Sequence, residues 1–115
     1  MAGELKIVNI KYGMPDSDDA VRRVTYNIRN SKQLGTRAIT FIHGYGSTGA
    51  GGVIRTKTRR YLAEQKRKRL IADFIPGEGF SIFSEATRRA FEICPDLRND
   101  PDLDRHNNGI TIVIL

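Results

Sequence analysis

The segment from residue 38 to residue 62 restricts the fold of this chain more than any other. Ala38-Ile39-Thr40-Phe41-Ile42 is a short, almost wholly apolar run of the kind buried inside parallel sheets. His43 follows, and then Gly44, Gly46, Gly49, Gly51 and Gly52 place five glycines within nine positions. From about Val53 the pattern becomes helical, with Ile54, Thr58, Tyr61 and Leu62 on one face. A strand that leaves through a glycine-rich loop into a helix gathers unpaired backbone amides around one point. The helix dipole adds positive potential there, so the loop suits a phosphate group. Glycine permits the positive φ values and close approach that such a cradle needs. The plainer alternative is a long turn with no ligand.

The rest of the chain fits an α/β pattern around this unit. Leu5-Lys6-Ile7-Val8-Asn9-Ile10 is rich in β-branched residues and predicts the first strand. Pro15-Asp16-Ser17-Asp18-Asp19 supplies a turn, a cap and acidic first-turn residues for a helix to about Asn30, with Ala20, Val21, Val24 and Ile28 inward. A third strand is expected at Leu70 to Ile75 and is stopped by Pro76-Gly77. A third helix is expected from about Ile82 to Ile93, with Ile82, Phe83, Ala86, Ala90 and Phe91 inward. Asp96 to Asn108 is polar and loop-like, and the apolar Ile110 to Leu115 predicts a final strand inside the sheet, running in either direction. Helices between strands imply right-handed crossovers and a mainly parallel first half. The exits of the first two strands, Lys11-Tyr12-Gly13 and His43 onward, should therefore share one end of the sheet.

At 115 residues the chain is sized for one domain. Nineteen Lys and Arg against thirteen Asp and Glu leave a net charge of +6, which favours polyanionic partners, with DNA or RNA ahead of an anionic membrane surface. The single cysteine, Cys94, excludes an internal disulfide and a thiolate-rich zinc site, and its place before Pro95 suits a packed helix end. No apolar stretch reaches the length of a membrane span, and Met1 to Lys6 lacks the pattern of an export signal. The expected compartment is the cytoplasm, with no membrane partner. The oligomeric state is open at this stage.

Three familiar motifs fail on inspection. A P-loop needs Lys followed by Ser or Thr at the helix start, and here Gly51-Gly52-Val53-Ile54 occupies that place. Gly44-Tyr45-Gly46-Ser47-Thr48-Gly49 fits GxGxxG, but two more glycines delay the helix and the chain is small for a dinucleotide fold. Asp100-Pro101-Asp102-Leu103-Asp104 imitates the start of a calcium loop, yet Arg105 replaces the required Gly and Thr111 the required Glu.

His43 is the best single candidate for chemistry, able at a strand exit to bond a phosphate oxygen or to move a proton. It could equally bond backbone and shape the turn. His106, in the polar loop, is expected to be solvated. Arg55, Lys57, Arg59, Arg60, Lys66, Arg67, Lys68 and Arg69 form a cationic block with Glu64 opposing it, where a solvated face normally mixes signs. Some of these are expected to contact phosphates.

The run Ile42-His43-Gly44-Tyr45-Gly46-Ser47-Thr48-Gly49-Ala50-Gly51-Gly52-Val53-Ile54-Arg55 resembles the HGxG loop and following helix of the small MutS-related (Smr) domain family. Asn108 to Leu115 is similar to that family's closing strand. The resemblance implies a two-layer α/β sandwich with βαβαβ(α)β order and a mixed, mainly parallel four-stranded sheet. It also implies DNA or RNA binding and, in some members, nicking or endonuclease activity. The family's opening LDxHG motif is absent: Val8-Asn9-Ile10-Lys11-Tyr12-Gly13 stands in its place, without the Asp and His implicated in cleavage. The segment from Phe80 to Asn107 also lies outside the shortest family pattern.

Two functions follow from the resemblance, and a third stands apart from it. In the first, amides of Gly44 to Gly52, helped by Tyr45, Ser47 and Thr48, hold a scissile phosphate. Arg55 neutralises charge, His43 moves a proton, and Lys11 and Tyr12 replace the missing motif groups; Lys57, Arg59 and Arg60 add phosphate contacts. A divalent metal is the cofactor such cleavage would call on, and its ligands stay open. In the second, the domain binds nucleic acid without cutting it. The third is a protein-partner module on the third helix, which requires Phe80 or Phe83 to be exposed.

Overall fold

The computed structural model describes residues 4–44 and 50–115. Tyr45, Gly46, Ser47, Thr48 and Gly49 therefore lie outside the described residues. The elements are β1 (Leu5–Asn9), α1 (Ser17–Gln33), β2 (Ala38–Ile42), α2 (Ala50–Arg67), β3 (Asp73–Pro76), α3 (Glu85–Ile93) and β4 (Ile110–Ile114). Short 3-10 turns at Gly77–Gly79 and Pro95–Asn99 flank α3. The α/β class and the four-stranded mixed sheet are as the sequence predicts.

The sheet order is β1-β2-β4-β3. β1 runs parallel to β2, while β4 is antiparallel to both β2 and β3, so β1, β2 and β3 share one direction. Asn9 pairs with Ile42, Ile42 with Ile110, and Thr111 with Pro76, which brings the ends of three strands and the start of β4 to one edge.

Side chains alternate across this sheet. Ile39, Phe41 and Val113 face α1 and α2 and pack with Ala20, Val24, Ile28, Ile54 and Leu62. Ala38, Ile110, Ile112 and Ile114 face the other way and meet Phe80, Ala90, Phe91, Cys94 and Leu97. The α1–α2 layer on the sheet is the expected sandwich, and the additional segment around α3 covers the reverse face. All five residues of β4 are buried, as a central strand with both faces covered requires.

Local chemistry sets the boundaries. Asp16 caps α1 by accepting the Asp19 amide at 2.8 Å. That helix runs past Asn30 because it closes with a Schellman pattern, Gly35 N–H to Lys32 O and Thr36 N–H to Ser31 O. α2 starts at Ala50, not near Val53, so Gly51 and Gly52 form part of its first turn. β3 begins at Asp73 instead of Leu70, because α2 unwinds through Arg69 at φ +62° before the chain can enter the sheet. α3 begins at Glu85, capped by the Ser84 hydroxyl, and so Ile82 and Phe83 precede it. Both were expected inward, but they are 47% and 85% exposed. Cys94 packs at the end of α3 with no exposed surface, and burial pushes its thiol pKa up. Among the described residues no helix is long and apolar enough to cross a membrane.

Candidate nucleic-acid interface

His43 continues the alternation of Ile39 and Phe41, and its ring therefore points into the interior beneath α2. Its relative exposure is 0%. Both ring nitrogens are engaged, Nδ1 with the Gly44 carbonyl at 2.7 Å and Nε2 with Thr111 Oγ1 at 2.8 Å. A carbonyl can only accept, so Nδ1 carries the proton and Nε2 receives the Thr111 hydroxyl proton. Thr111 Oγ1 in turn accepts from Arg59 Nε at 3.0 Å. The hydrogen bonds run in one direction, from Arg59 through Thr111 and His43 to Gly44.

Arg59 is itself fixed by Glu78. Its two terminal nitrogens donate to the two carboxylate oxygens at 2.8 and 2.7 Å, and one also reaches Ile110 O at 3.1 Å. A bidentate, partly buried pair of this kind has a defined geometry. Glu78 reaches it because Gly77 lets β3 leave directly against the chain entering β4. A Cβ at Gly77 would stand 1.9 Å from Asn107 O and 2.5 Å from Ile110 Cγ1, so no other residue fits.

The electrostatics follow from this enclosure. Burial lowers the His43 pKa from 6.5 to about 4; the Gly44 bond and the Glu78 charge oppose the shift, and Arg59 and Arg55 add to it. The ring is neutral at physiological pH. Burial by itself would raise the Glu78 pKa, but the hydrogen bonds and charge of Arg59 outweigh it and hold the carboxyl below its ordinary value.

Beside this cluster, Gly44 sits at φ +78° and closes the β2 exit. Its amide and that of His43 both donate to Gly109 O at 3.0 Å, so the Gly44 N–H faces the sheet instead of joining a phosphate cradle. The Lys11 side chain lies over Gly44, where an added Cβ would be 3.4 Å from Lys11 Cδ and 3.8 Å from Nζ. The structure thus brings the exits of β1 and β2 together as expected. Asn9 turns back to accept the Lys11 amide at 2.9 Å. Tyr12 is exposed, and its carbonyl accepts from Arg23 at 2.6 Å.

The cationic block is more mixed in space than in sequence. Arg59 pairs with Glu78, Lys57 with Asp18 at 3.3 Å, Lys66 with Asp73 at 3.0 Å, and Arg67 and Lys68 with Glu64. Four carboxylates, not Glu64 alone, answer these charges. Among the described residues Arg55 and Arg60 carry no ion pair. With Lys57 they line a shallow depression that also includes Gly52, Val53 and Thr56. The Lys57–Asp18 pair is solvent-exposed and so costs little to open. The N-terminal half of α2 thereby gathers Arg55, Lys57 and Arg60 around one depression.

Thr111 and Glu78 escaped the sequence analysis. Thr111 had a signal, being the polar residue within Ile110-Thr111-Ile112-Val113-Ile114; Glu78, between two glycines, had none. His106 is exposed, as expected. A divalent metal does not fit the cluster. Among the described residues no three His, Cys, Asp or Glu side chains converge, and Glu78 gives both oxygens to Arg59.

Comparison with known proteins gives one family: the sequence model of the Smr domain matches residues 13–81. The match spans α1, β2, α2 and β3, with Lys11 and Tyr12 just before it and α3 and β4 after it. No curated protein and no solved structure matches the chain.

Proposed function

The chain belongs to the Smr domain family, and on that premise we propose that it binds nucleic acid through the N-terminal half of α2 and does not cut it with His43. At family level this is a nucleic-acid-binding, nuclease-like module. The observation that carries the proposal is the grouping of Arg55, Lys57 and Arg60 in one depression at the start of α2. Cations gathered in this way suit the negative charge of a phosphate backbone, and the amides of Gly51 and Gly52 belong to the helix's unpaired first turn.

In this assignment Lys11 adds a further phosphate contact, while Tyr45 to Gly49, with Ser47 and Thr48, lie outside the described residues. Arg59 and Gly44 act on the framework: Arg59 orients Thr111, and Gly44 turns the chain out of the sheet. His43 is a positioning residue. A buried imidazole whose lone pair already holds the Thr111 proton has no free site for a substrate proton. Cleavage by His43 with Arg55, Lys11 and Tyr12 therefore has less support than binding alone.

Fluorescence anisotropy with labelled DNA and RNA, single-stranded and duplex, tests this. The wild-type chain binds at low salt, and the combined Arg55→Gln, Lys57→Gln and Arg60→Gln variant loses about tenfold or more. Equal binding by the variant overturns the interface, and no binding by the wild type overturns the function. On supercoiled plasmid and structured RNA, with or without magnesium or manganese, no His43-dependent cleavage is expected. Cleavage that a folded His43→Asn variant has lost would restore the nuclease.

A further inference from the structure

The turn after β1 presents an aromatic ring that the fold does not use. Tyr12 is 79% exposed, and among the described residues its side chain makes no hydrogen bond, aromatic pair or cation–π contact. The backbone beneath it is held on several sides. Arg23 donates to the Tyr12 and Ile10 carbonyls at 2.6 and 3.4 Å, and the Met14 amide donates to Lys11 O at 3.0 Å. Gly13 and Met14 take positive φ values of 79° and 53°, which makes the turn tight. Met14, two residues on, is 86% exposed. The ring is thus displayed by a braced corner at the sheet end that also holds Lys11 over Gly44.

The charges around this corner select the occupant. The acids that follow are already engaged: Asp16 caps α1, Asp18 pairs with Lys57, and Asp19 pairs with Arg22. What stays outward is the Tyr12 ring, on a turn that also carries Lys11 and is held by Arg23, while α2 is tied to the start of α1 through Lys57 and Asp18. A polyanion that also offers flat apolar faces complements this surface. A continuous duplex keeps its base faces stacked against one another, whereas an unpaired nucleotide exposes them.

We propose that Tyr12 is a stacking platform for an unpaired nucleobase, so that the chain prefers single-stranded or looped nucleic acid to continuous duplex. The inference rests on the phosphate interface proposed above and adds to it the class of nucleic acid.

The test compares Tyr12→Ala and Tyr12→Phe with the wild type on single strands and duplexes of matched length and backbone. The wild type is expected to favour the single strand. Tyr12→Ala should lose about tenfold on that probe alone, and Tyr12→Phe should keep wild-type affinity. The slope of affinity against salt should not change, because no charge is removed. If both probes bind and Tyr12→Ala alters neither, or weakens both equally, the platform is overturned and the phosphate interface stands. If the wild type binds neither probe, the phosphate interface falls and the platform with it.

Discussion

Where β2 ends decides what His43 can do. The two-residue alternation carries its ring to the covered face, Thr111 meets one nitrogen, and the Gly44 carbonyl fixes the proton on the other. The chain has two histidines, so a proton NMR titration resolves them. The His43 ring signal should stay fixed from neutral pH down and move only near pH 4. Titration near 6.5 would contradict the buried, neutral assignment. The sign for stability follows from linkage. The unfolded chain takes up the His43 proton near pH 6.5 and the folded chain only near 4, so stability falls as pH drops through that window. The full effect is about 3 kcal/mol. Glu78, its pKa lowered, acts in the same direction under acid, and Asp100, its carboxyl raised by burial, acts against it. His43 could be picked from sequence because one histidine followed a strand and preceded a glycine run. Its contact with Thr111 could not, because β4 brings that residue from far along the chain, and neither could the Glu78 that fixes Arg59 behind it.

The elements that read clearly were those whose periodicity and punctuation agree. β2, α1 and the inward face of α2 follow from apolar spacing bounded by Asp16 and the glycines. β3 and α3 begin later than their apolar runs predict, because the first residues of each run belong to the preceding turn. Leu70 belongs to the turn out of α2, and Ile82 and Phe83 precede the Ser84 cap. For α3 the difference can be measured by chemical denaturation. Phe83→Ser should leave stability within about 0.5 kcal/mol, since the ring is 85% exposed. Phe91→Ala should cost about 3 kcal/mol or more, since that ring packs edge-on against Phe80 at 6.4 Å. Comparable losses at both positions would contradict the boundary at Glu85. The exposure of Phe83 meets the condition set for a protein-partner surface on this segment. It names no partner, whereas the charge on α2 does name a class of ligand.

At the scale of the whole molecule, the insertion of β4 between β2 and β3 produces the site. It brings Thr111 under α2, supplies Gly109 to hold the Gly44 amide, and lets Glu78 reach Arg59. Composition indicated an excess of positive charge but could not show how it is distributed. Five of the eight cations in the block pair with Asp18, Glu64, Asp73 or Glu78, whereas among the described residues Arg55 and Arg60 carry no such pair and line one depression with Lys57, whose pair with Asp18 is exposed. Phosphate binding by those three is the central claim, and the salt dependence of affinity measures it most directly. For the wild type, the logarithm of affinity for a single strand should fall linearly with the logarithm of salt concentration. The Arg55→Gln, Lys57→Gln and Arg60→Gln variant should fall less steeply, by about two units of slope. A wild-type affinity that salt does not alter, or a variant with an unchanged slope, would contradict the account.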